Sequence, residues 1–403
     1  MTAPWWGAAG ALAEIALPRT ADVVVIGGGI LGLATAYHLA CNGARPLLLE
    51  REGFGAGATG RNGGFLPVGT AGDYDATIAR LGRATAQQLL GLTLANRRLA
   101  DEILVAEGID CDLRPVGHLH LALSAAEQRA NRRLAALLTE DGCLTQHLDR
   151  SEAQLRVDTP FGPQVAGGLF FRDTALLHPA KLCTGLAVAA VRRGAVIGKA
   201  DIRRIDGAGR EALVETDRGT IHAGAVVTAV NAWTGTLRPA LAALITPVRG
   251  QMVAYAPIAP LFHAGMTALT TVTEEYWQQL PDGSIILGGC RAVRTDGDTG
   301  QLECVPTDDV QRALDQVLPA LFPGIGPLCA THRWAGSMAF TPDRLPVVAR
   351  WPEGNGWSIG GFSGNGMSLS LIFGRLIGDA LLGRGADPRL DIFSPDRFGG
   401  ASA

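Results

Sequence analysis

The sequence predicts an α/β protein in which a doubly wound parallel sheet is interrupted by an inserted, mainly antiparallel α+β domain. Three observations predict it. Near the start, Ala21-Asp22-Val23-Val24-Val25-Ile26 is an almost continuous apolar, β-branched run ending in glycines, the pattern of a parallel strand buried on both faces. Between about Pro247 and Ala330 the pattern changes to short runs separated by turns such as Pro281-Asp282-Gly283, which reads as mostly antiparallel strands. After Ala330 glycine loops and one apolar helix return. A chain of 403 residues is long enough for two domains. The expected division gives 20–100, 150–245 and 331–390 to the discontinuous doubly wound domain and 101–149 and 246–330 to the inserted one, with 1–19 and 391–403 as terminal extensions.

The elements follow in order. After the first strand, Leu31 to Cys41 reads as a helix and Arg45 to Leu49 as a second strand that delivers Glu50. Gly53 to Gly72 is too dense in glycine for a regular element. A long amphipathic helix fits Ala84 to Glu107, with Leu89, Leu92, Ala95, Leu99 and Ile103 on one face. Shorter helices fit Ser124 to Thr139, Ser151 to Val157 and Leu182 to Arg193. Val196 to Ile197 reads as a strand, Leu213 to Thr216 and Thr220 to Ala223 as a hairpin, and Val226 to Val230 as another buried strand. In the insertion, Gln251 to Tyr255, Thr270 to Gln279 and Ser284 to Gly288 are strands, closed by a helix from Thr307 to Leu318. The final helix is Ser368 to Leu382.

Composition excludes several classes. A net charge of -3 leaves no electrostatic footprint for nucleic acid or an anionic membrane. The seven cysteines are scattered, odd in number and without a CxxC spacing, which argues against a disulfide framework and a structural zinc site. The apolar stretch from Pro4 to Leu17 contains Glu14 and lacks a basic leader, so no secretory signal is expected. No run reaches a spanning length. The expectation is a cytoplasmic enzyme with no integral membrane association and no metal.

Gly27, Gly29 and Gly32 form GxGxxG directly after a predicted strand and at the start of a predicted helix. The first glycine permits the tight turn, the second lets the backbone approach a pyrophosphate, and the third lets helix pack on strand. The helix start then offers N–H groups and a partial positive charge to phosphates. Glu50 lies 18 residues beyond Gly32, at the end of the next strand, where a carboxylate accepts ribose hydroxyls and repels a 2′-phosphate. This favours FAD or NAD over NADP. A second glycine cluster, Gly55 to Gly64, follows at once, and a third, Gly360-Gly361-Phe362-Ser363-Gly364-Asn365-Gly366-Met367, precedes the last helix. Ordering such loops costs entropy that an extended cofactor would offset, and NAD needs no second loop of this length, so the clusters favour FAD.

The three clusters together resemble the D-amino-acid-oxidase-like family of FAD-dependent oxidoreductases, which includes glycine and sarcosine oxidases, and within it the gamma-glutamylputrescine oxidase branch. Asn231-Ala232-Trp233, Pro247-Val248-Arg249-Gly250-Gln251, Arg333-Trp334-Ala335-Gly336 and Thr341-Pro342-Asp343-Arg344-Leu345-Pro346 carry the likeness through nearly the whole chain. The resemblance implies a doubly wound FAD-binding domain covered by an antiparallel substrate domain. It implies oxidation of the C–N bond of a primary or secondary amine or amino acid: hydride passes to flavin N5, the imine is hydrolysed, and oxygen restores the flavin and yields hydrogen peroxide. Two alternatives stay open, a dehydrogenase that passes electrons to a quinone or protein acceptor and a non-catalytic flavin-binding protein. The residues it implies at the cofactor are Gly27, Gly29, Ile30, Gly32, Glu50 and Arg51, then Thr59, Gly60, Arg61, Asn62 and Gly63, then Ile202, Ala229 and Trp233, and finally Gly361, Ser363, Gly364, Asn365, Gly366 and Met367. Where covalent relatives carry a cysteine, this chain reads Ala335-Gly336-Ser337-Met338, so non-covalent FAD is expected.

Positive charge near the flavin stabilises its reduced, anionic form. Arg61 and Arg333 are therefore the leading candidates for tuning the flavin or binding a substrate anion, with structural salt bridges as their other reading. In the sarcosine oxidases that the chain resembles, a lysine on a strand of the inserted domain attracts oxygen. The only lysines here, Lys181 and Lys199, lie outside that domain. The similar place reads Gly288-Gly289-Cys290-Arg291, so the resemblance implies either Arg291 in that role or an electron acceptor other than oxygen. Tyr255, Tyr276, Trp277, Trp334 and Phe340 are the aromatics available to line an amine pocket, since aromatic faces attract ammonium groups; such residues are more often core, least so Trp334, which adjoins Arg333.

Overall fold

The computed structural model describes residues 12, 14–69, 74–207, 211–270, 273–352 and 354–399. Part of the apolar stretch from Pro4 to Leu17 and the end of the loop to Gly72 lie outside the described residues.

The first sheet is built on β1 (Thr20–Ile26), which hydrogen-bonds in parallel to β2 (Leu47–Glu50) on one side and to Gly219–Thr228 on the other. Val24, Val25 and Ile26 are almost completely buried, as a strand covered on both faces requires. Val196–Lys199 extends the sheet beyond β2 and Gly356–Gly360 extends it on the far side, both in parallel, with Val347–Arg350 antiparallel at that edge. Ala212–Thr216 and Gly219–Thr228 form the expected hairpin, and Ile202–Asp206 pairs onto it. Between β1 and β2 runs α1 (Ile30–Cys41).

Helix Gly366–Leu381 lies against α1 at close range. A Cβ on Gly374 would stand 2.8 Å from Ala34 Cβ, and one on Gly378 would stand 2.6 Å from the His38 ring. Successive turns, 374 then 378, thus meet 34 then 38, so the two helices run parallel and their N-terminal ends face the same side.

The second sheet takes the order Ala330–Phe340, Thr246–Tyr255, Ile285–Gly288, Glu275–Gln279, Gly265–Ala268, His118–Ala122, Gly167–Phe171 and Thr145–Asp149. It is antiparallel except where Gly265–Ala268 meets His118–Ala122. One face packs on helix Asp308–Leu321 through Val310, Leu314, Val317 and Leu318. Sheet membership departs from the expected division at two places. Gly167–Phe171 and Ala330–Phe340 belong to the second sheet, although the expected segments 150–245 and 331–390 fall in the first domain. Ala330–Phe340, at eleven residues, is long enough to reach from one layer into the other, which composition could not show.

Candidate functional site

The parallel strands end together at Ile26, Glu50, Thr228 and Gly360, and the crevice outside such carboxyl ends is where doubly wound folds bind ligands. At its centre the turn Gly27-Gly28-Gly29 is tightly closed. Gly27 has φ +110°, and a Cβ on Gly32 would stand 1.9 Å from Gly27 O. The start of α1 carries no side-chain cap and no acidic residue in its first turn. Leu33 N–H bonds Gly29 O at 3.0 Å, and Ile30 N–H donates to Thr59 Oγ1 at 3.3 Å. The N–H groups and positive dipole end thus face the crevice, as a pyrophosphate requires.

Glu50 sits where β2 meets the turn. Its Oε2 accepts from Gly28 N–H at 2.7 Å and its Oε1 from Glu52 N–H at 2.7 Å. These bonds fix the carboxylate and leave lone pairs for ribose hydroxyls. Beside it Arg51 lies 5.4 Å from the Trp233 ring centroid and 4.0 Å from Asp201, the residue before Ile202. Ala229 closes the floor: a Cβ on Gly27 would stand 2.7 Å from its carbonyl oxygen.

The second glycine cluster folds into a short 3-10 turn, Thr59–Arg61. Gly60 N–H bonds Gly55 O at 2.8 Å, Asn62 Nδ2 donates to Thr59 O at 2.7 Å, and Asn62 Oδ1 accepts from Gly64 N–H at 2.7 Å. The third cluster alternates handedness: Gly361, Ser363 and Gly364 have φ of +72°, +49° and +88°. Ser363 N–H is held by Ala339 O at 2.7 Å and Gly361 N–H by Asn231 Oδ1 at 3.1 Å. Asn365 Nδ2 donates to Ser363 O at 3.1 Å. Gly366 and Met367 then open a helix that again has no side-chain cap and no acidic first turn. Two uncapped helix starts therefore face one crevice, suited to the pyrophosphate and to the electron-rich edge of an isoalloxazine. The residues present fit FAD.

Above this crevice stands one face of the second sheet. Antiparallel partners share a face, so the register places Trp334, Gly336, Met338 and Phe340 beside Met252 and Gly250, with Gly288 and Tyr276 next in line. This face meets the glycine loop directly. A Cβ on Gly63 would stand 2.9 Å from the Tyr276 ring, and Gln278 Nε2 donates to Gly63 O. Trp334 Nε1 donates to Arg61 O at 2.9 Å. Arg61 is itself tied to backbone, its Nε to Ala56 O at 2.8 Å and an NH1 to Ala335 O at 3.0 Å. Tyr276 donates to Met252 Sδ at 3.2 Å, and burial pushes its phenol up to about 12.

Three expected residues lie elsewhere. Tyr255, Trp277 and Arg333 have the opposite parity on their strands and point into the far face. Trp277 is completely buried against Phe262 and Phe322. Tyr255 donates to Asp315 at 3.0 Å, and Arg333 is paired with the same carboxylate at 2.8 Å and with Gln311 at 2.9 Å. Arg333 thus anchors helix Asp308–Leu321 and is removed from the pocket. Arg291 stays on the pocket side, its guanidinium 4.8 Å from the Phe340 ring centroid. Gln278, Met252, Met338 and Arg344 were missed; alternation from Tyr276 would have found Gln278. Farther along the same face a cavity of about 400 Å³ opens between Arg114, His178, Gln278, Ile286, Asp282 and His332.

Fold and site together define an FAD-dependent oxidoreductase. The chain belongs to the family described as DAO, FAD dependent oxidoreductase, which it matches over residues 22–380. It is 29% identical over 379 residues to the probable oxidoreductase OrdL of Rhizobium meliloti, covering 92% of this chain and 85% of that protein. It is 28% identical to the gamma-glutamylputrescine oxidoreductase of Escherichia coli, covering 93% and 86%. Among solved structures it is similar to glycine oxidase from Geobacillus kaustophilus, with a TM-score of 0.80, 24% identity, and 95% and 100% of the two chains covered. Among the described residues no helix is long and apolar enough to cross a membrane, and no group of three or more His, Cys, Asp or Glu side chains is placed to hold a metal ion.

Proposed function

We propose that the protein oxidises the C–N bond of a primary or secondary amine or amino acid, with oxygen as terminal acceptor and an imine and hydrogen peroxide as products, the imine then hydrolysing. The observation that carries this reading is the sheet face bearing Tyr276, Met252 and Phe340, whose Tyr276 ring is set against Gly63. It is an apolar, aromatic pocket wall pressed on the loop that the family resemblance places beside the isoalloxazine. Bound FAD supplies the two-electron acceptor for a hydride leaving the carbon that bears the nitrogen. The chain's own residues orient the amine and exclude water rather than remove a proton strongly. Tyr276 stays neutral at ordinary pH, so it donates a hydrogen bond and is no base. The reactive amine is then its free-base form, and kcat/KM rises with pH toward the amine's own pKa.

FAD is held without a covalent bond in this reading. The thiol that packs on the glycine loop, Cys183, lies 3.3 Å from where a Cβ on Gly55 would stand, and burial pushes it up to about 12, which keeps it protonated and unreactive. Acid precipitation should release the flavin intact.

One observation favours a dehydrogenase as the second reading. Lys181 is paired with Asp112 at 2.7 Å, and Lys199 lies exposed at the end of its strand, so no lysine attracts oxygen at the site. Counting peroxide per amine consumed decides between the two. A ratio near one supports the oxidase; anaerobic bleaching that air does not promptly reverse contradicts it.

A further inference from the structure

Between the second sheet and the glycine loop, three amide groups join into one hydrogen-bonded chain. Arg114 NH2 donates to Gln278 Oε1 at 2.6 Å, and Gln278 Nε2 donates to Gly63 O. The peptide group that accepts there donates from its other end, Gly64 N–H to Asn62 Oδ1 at 2.7 Å, and Asn62 Nδ2 donates to Thr59 O at 2.7 Å. Every bond therefore runs the same way, from the Arg114 cation to Thr59. The partners leave no choice of amide orientation, since a guanidinium and a backbone N–H only donate and a backbone carbonyl only accepts.

Each link is fixed by its surroundings. Arg114 is pinned through its backbone, whose N–H and carbonyl bond Leu176 at 2.7 Å and 2.9 Å. Gln278 is buried on strand Glu275–Gln279, opposite Ile286. Gly64 has φ +74°, and a Cβ there would stand 2.4 Å from Leu177 O and 2.5 Å from Gln278 Nε2, so only glycine lets the amide reach the loop. Among the described residues Gln278 is the one hydrogen-bond acceptor of the Arg114 guanidinium. Asp112, two residues away, is held instead by Lys181 at 2.7 Å and 2.8 Å. Burial lowers the Arg114 guanidinium from its ordinary value, with Asp112 pulling the other way, and arginine nevertheless stays charged.

Hydrogen bonds in series polarise one another, and the more so away from water. In this chain the oxygen of each amide faces the cation and its N–H faces away, so the positive end emerges at Asn62. A simple fastening of loop to sheet would need neither a cation at its head nor a common direction. We infer that Gln278 and Asn62 relay the positive charge of Arg114 to the glycine loop, and that the relay raises the reduction potential of the bound flavin. Positive charge stabilises the anionic reduced form. Arg114 and Gln278 act through the loop and are positioning residues. The inference rests on the reading that sets this loop beside the isoalloxazine.

The test needs no turnover. The midpoint potential of the FAD-loaded protein is measured anaerobically against reference dyes, without substrate. Arg114→Met and Gln278→Leu are each expected to lower the ratio of reduced to oxidised flavin about tenfold at a fixed potential, or about 30 mV for a two-electron couple. The double variant shifts no further than either single one, as groups in one chain require, and Arg114→Lys, which keeps the charge, shifts less than Arg114→Met. Arg114 lines a cavity of about 400 Å³, so its variants leave the core packed and decide the matter even if Gln278→Leu does not fold. An unchanged potential in Arg114→Met at full flavin loading, equal shifts in Arg114→Met and Arg114→Lys, or additive shifts in the double variant overturn the relay. Weaker FAD binding with an unchanged potential marks a structural fastening and overturns it too. If Asn62→Leu shifts the potential while the Arg114 and Gln278 variants do not, the loop lies beside the flavin and only the relay falls. If none of the three shifts it, the placement of the loop falls with the relay. Failure of every amine to bleach the flavin contradicts the amine reading alone, because these potentials are still measured.

Discussion

At Gly32 a single methyl group is expected to decide whether the cofactor is held. Its Cβ would stand 1.9 Å from Gly27 O, and backbone rather than a yielding side chain is in the way. Gly32→Ala should therefore cost at least ~1 to 3 kcal/mol of overpacking and lower the ratio of flavin to protein absorbance in the purified protein. Glu50→Ala removes the acceptor for Gly28 and Glu52 N–H. It should weaken FAD by about 1.5 to 3 kcal/mol, the range for hydrogen bonds to a charged group, read as a higher FAD dissociation constant in reconstitution. These residues were legible in the sequence because their chemistry is local: a turn, a helix start and an acid at fixed spacing. Arg333 was not legible. Its motif neighbours pointed to the flavin, while its partner Asp315 lies on a helix whose docking face only the tertiary structure reveals.

Among the elements, Asp141 shows how helices are tied outside the site. It follows helix Ala125–Glu140 and accepts from Tyr74 at 2.7 Å, Arg83 at 2.8 Å and Gln87 at 2.8 Å, joining three helices through one carboxylate. The bond from Arg83 is the largest influence holding its pKa down at about 2. A depressed folded-state value means this stability is fully present above the ordinary carboxylate pKa, near ~4, and is lost as pH falls from there toward about 2. Asp141→Asn should lower the thermal midpoint at neutral pH by an amount corresponding to about 1 kcal/mol. It should also flatten the loss of stability between those two pH values, as followed by circular dichroism. Most helices were legible from periodicity and caps, within a few residues. Strands in the second sheet were less so: His118–Ala122, Thr145–Asp149 and Gly265–Ala268 are four or five residues long, too short to show a period. Parity was hidden too. Tyr276 and Trp277 are adjacent in sequence and face opposite layers, and only the pairing with Gly288 and Leu287 says which one meets the glycine loop.

For the molecule as a whole, the two sheets meet across the glycine loops, where Trp334 Nε1 bonds Arg61 O and Gln278 Nε2 bonds Gly63 O. A ligand bound by the folded state alone stabilises it by about 2.7 kcal/mol at a hundredfold excess over its dissociation constant. Removing FAD should lower the thermal midpoint, and adding FAD, but not NAD, should restore it. The doubly wound half was legible because its strands are nearly continuous apolar runs. The junction was not, since Ala330–Phe340 and Gly167–Phe171 cross from one expected segment to the other layer. The central claim is that this junction brings an amine to the flavin. Anaerobic addition of amines and amino acids to the FAD-loaded enzyme tests it by the flavin absorbance. At least one of them is expected to bleach it; full flavin loading with no bleaching by any of them would contradict that claim.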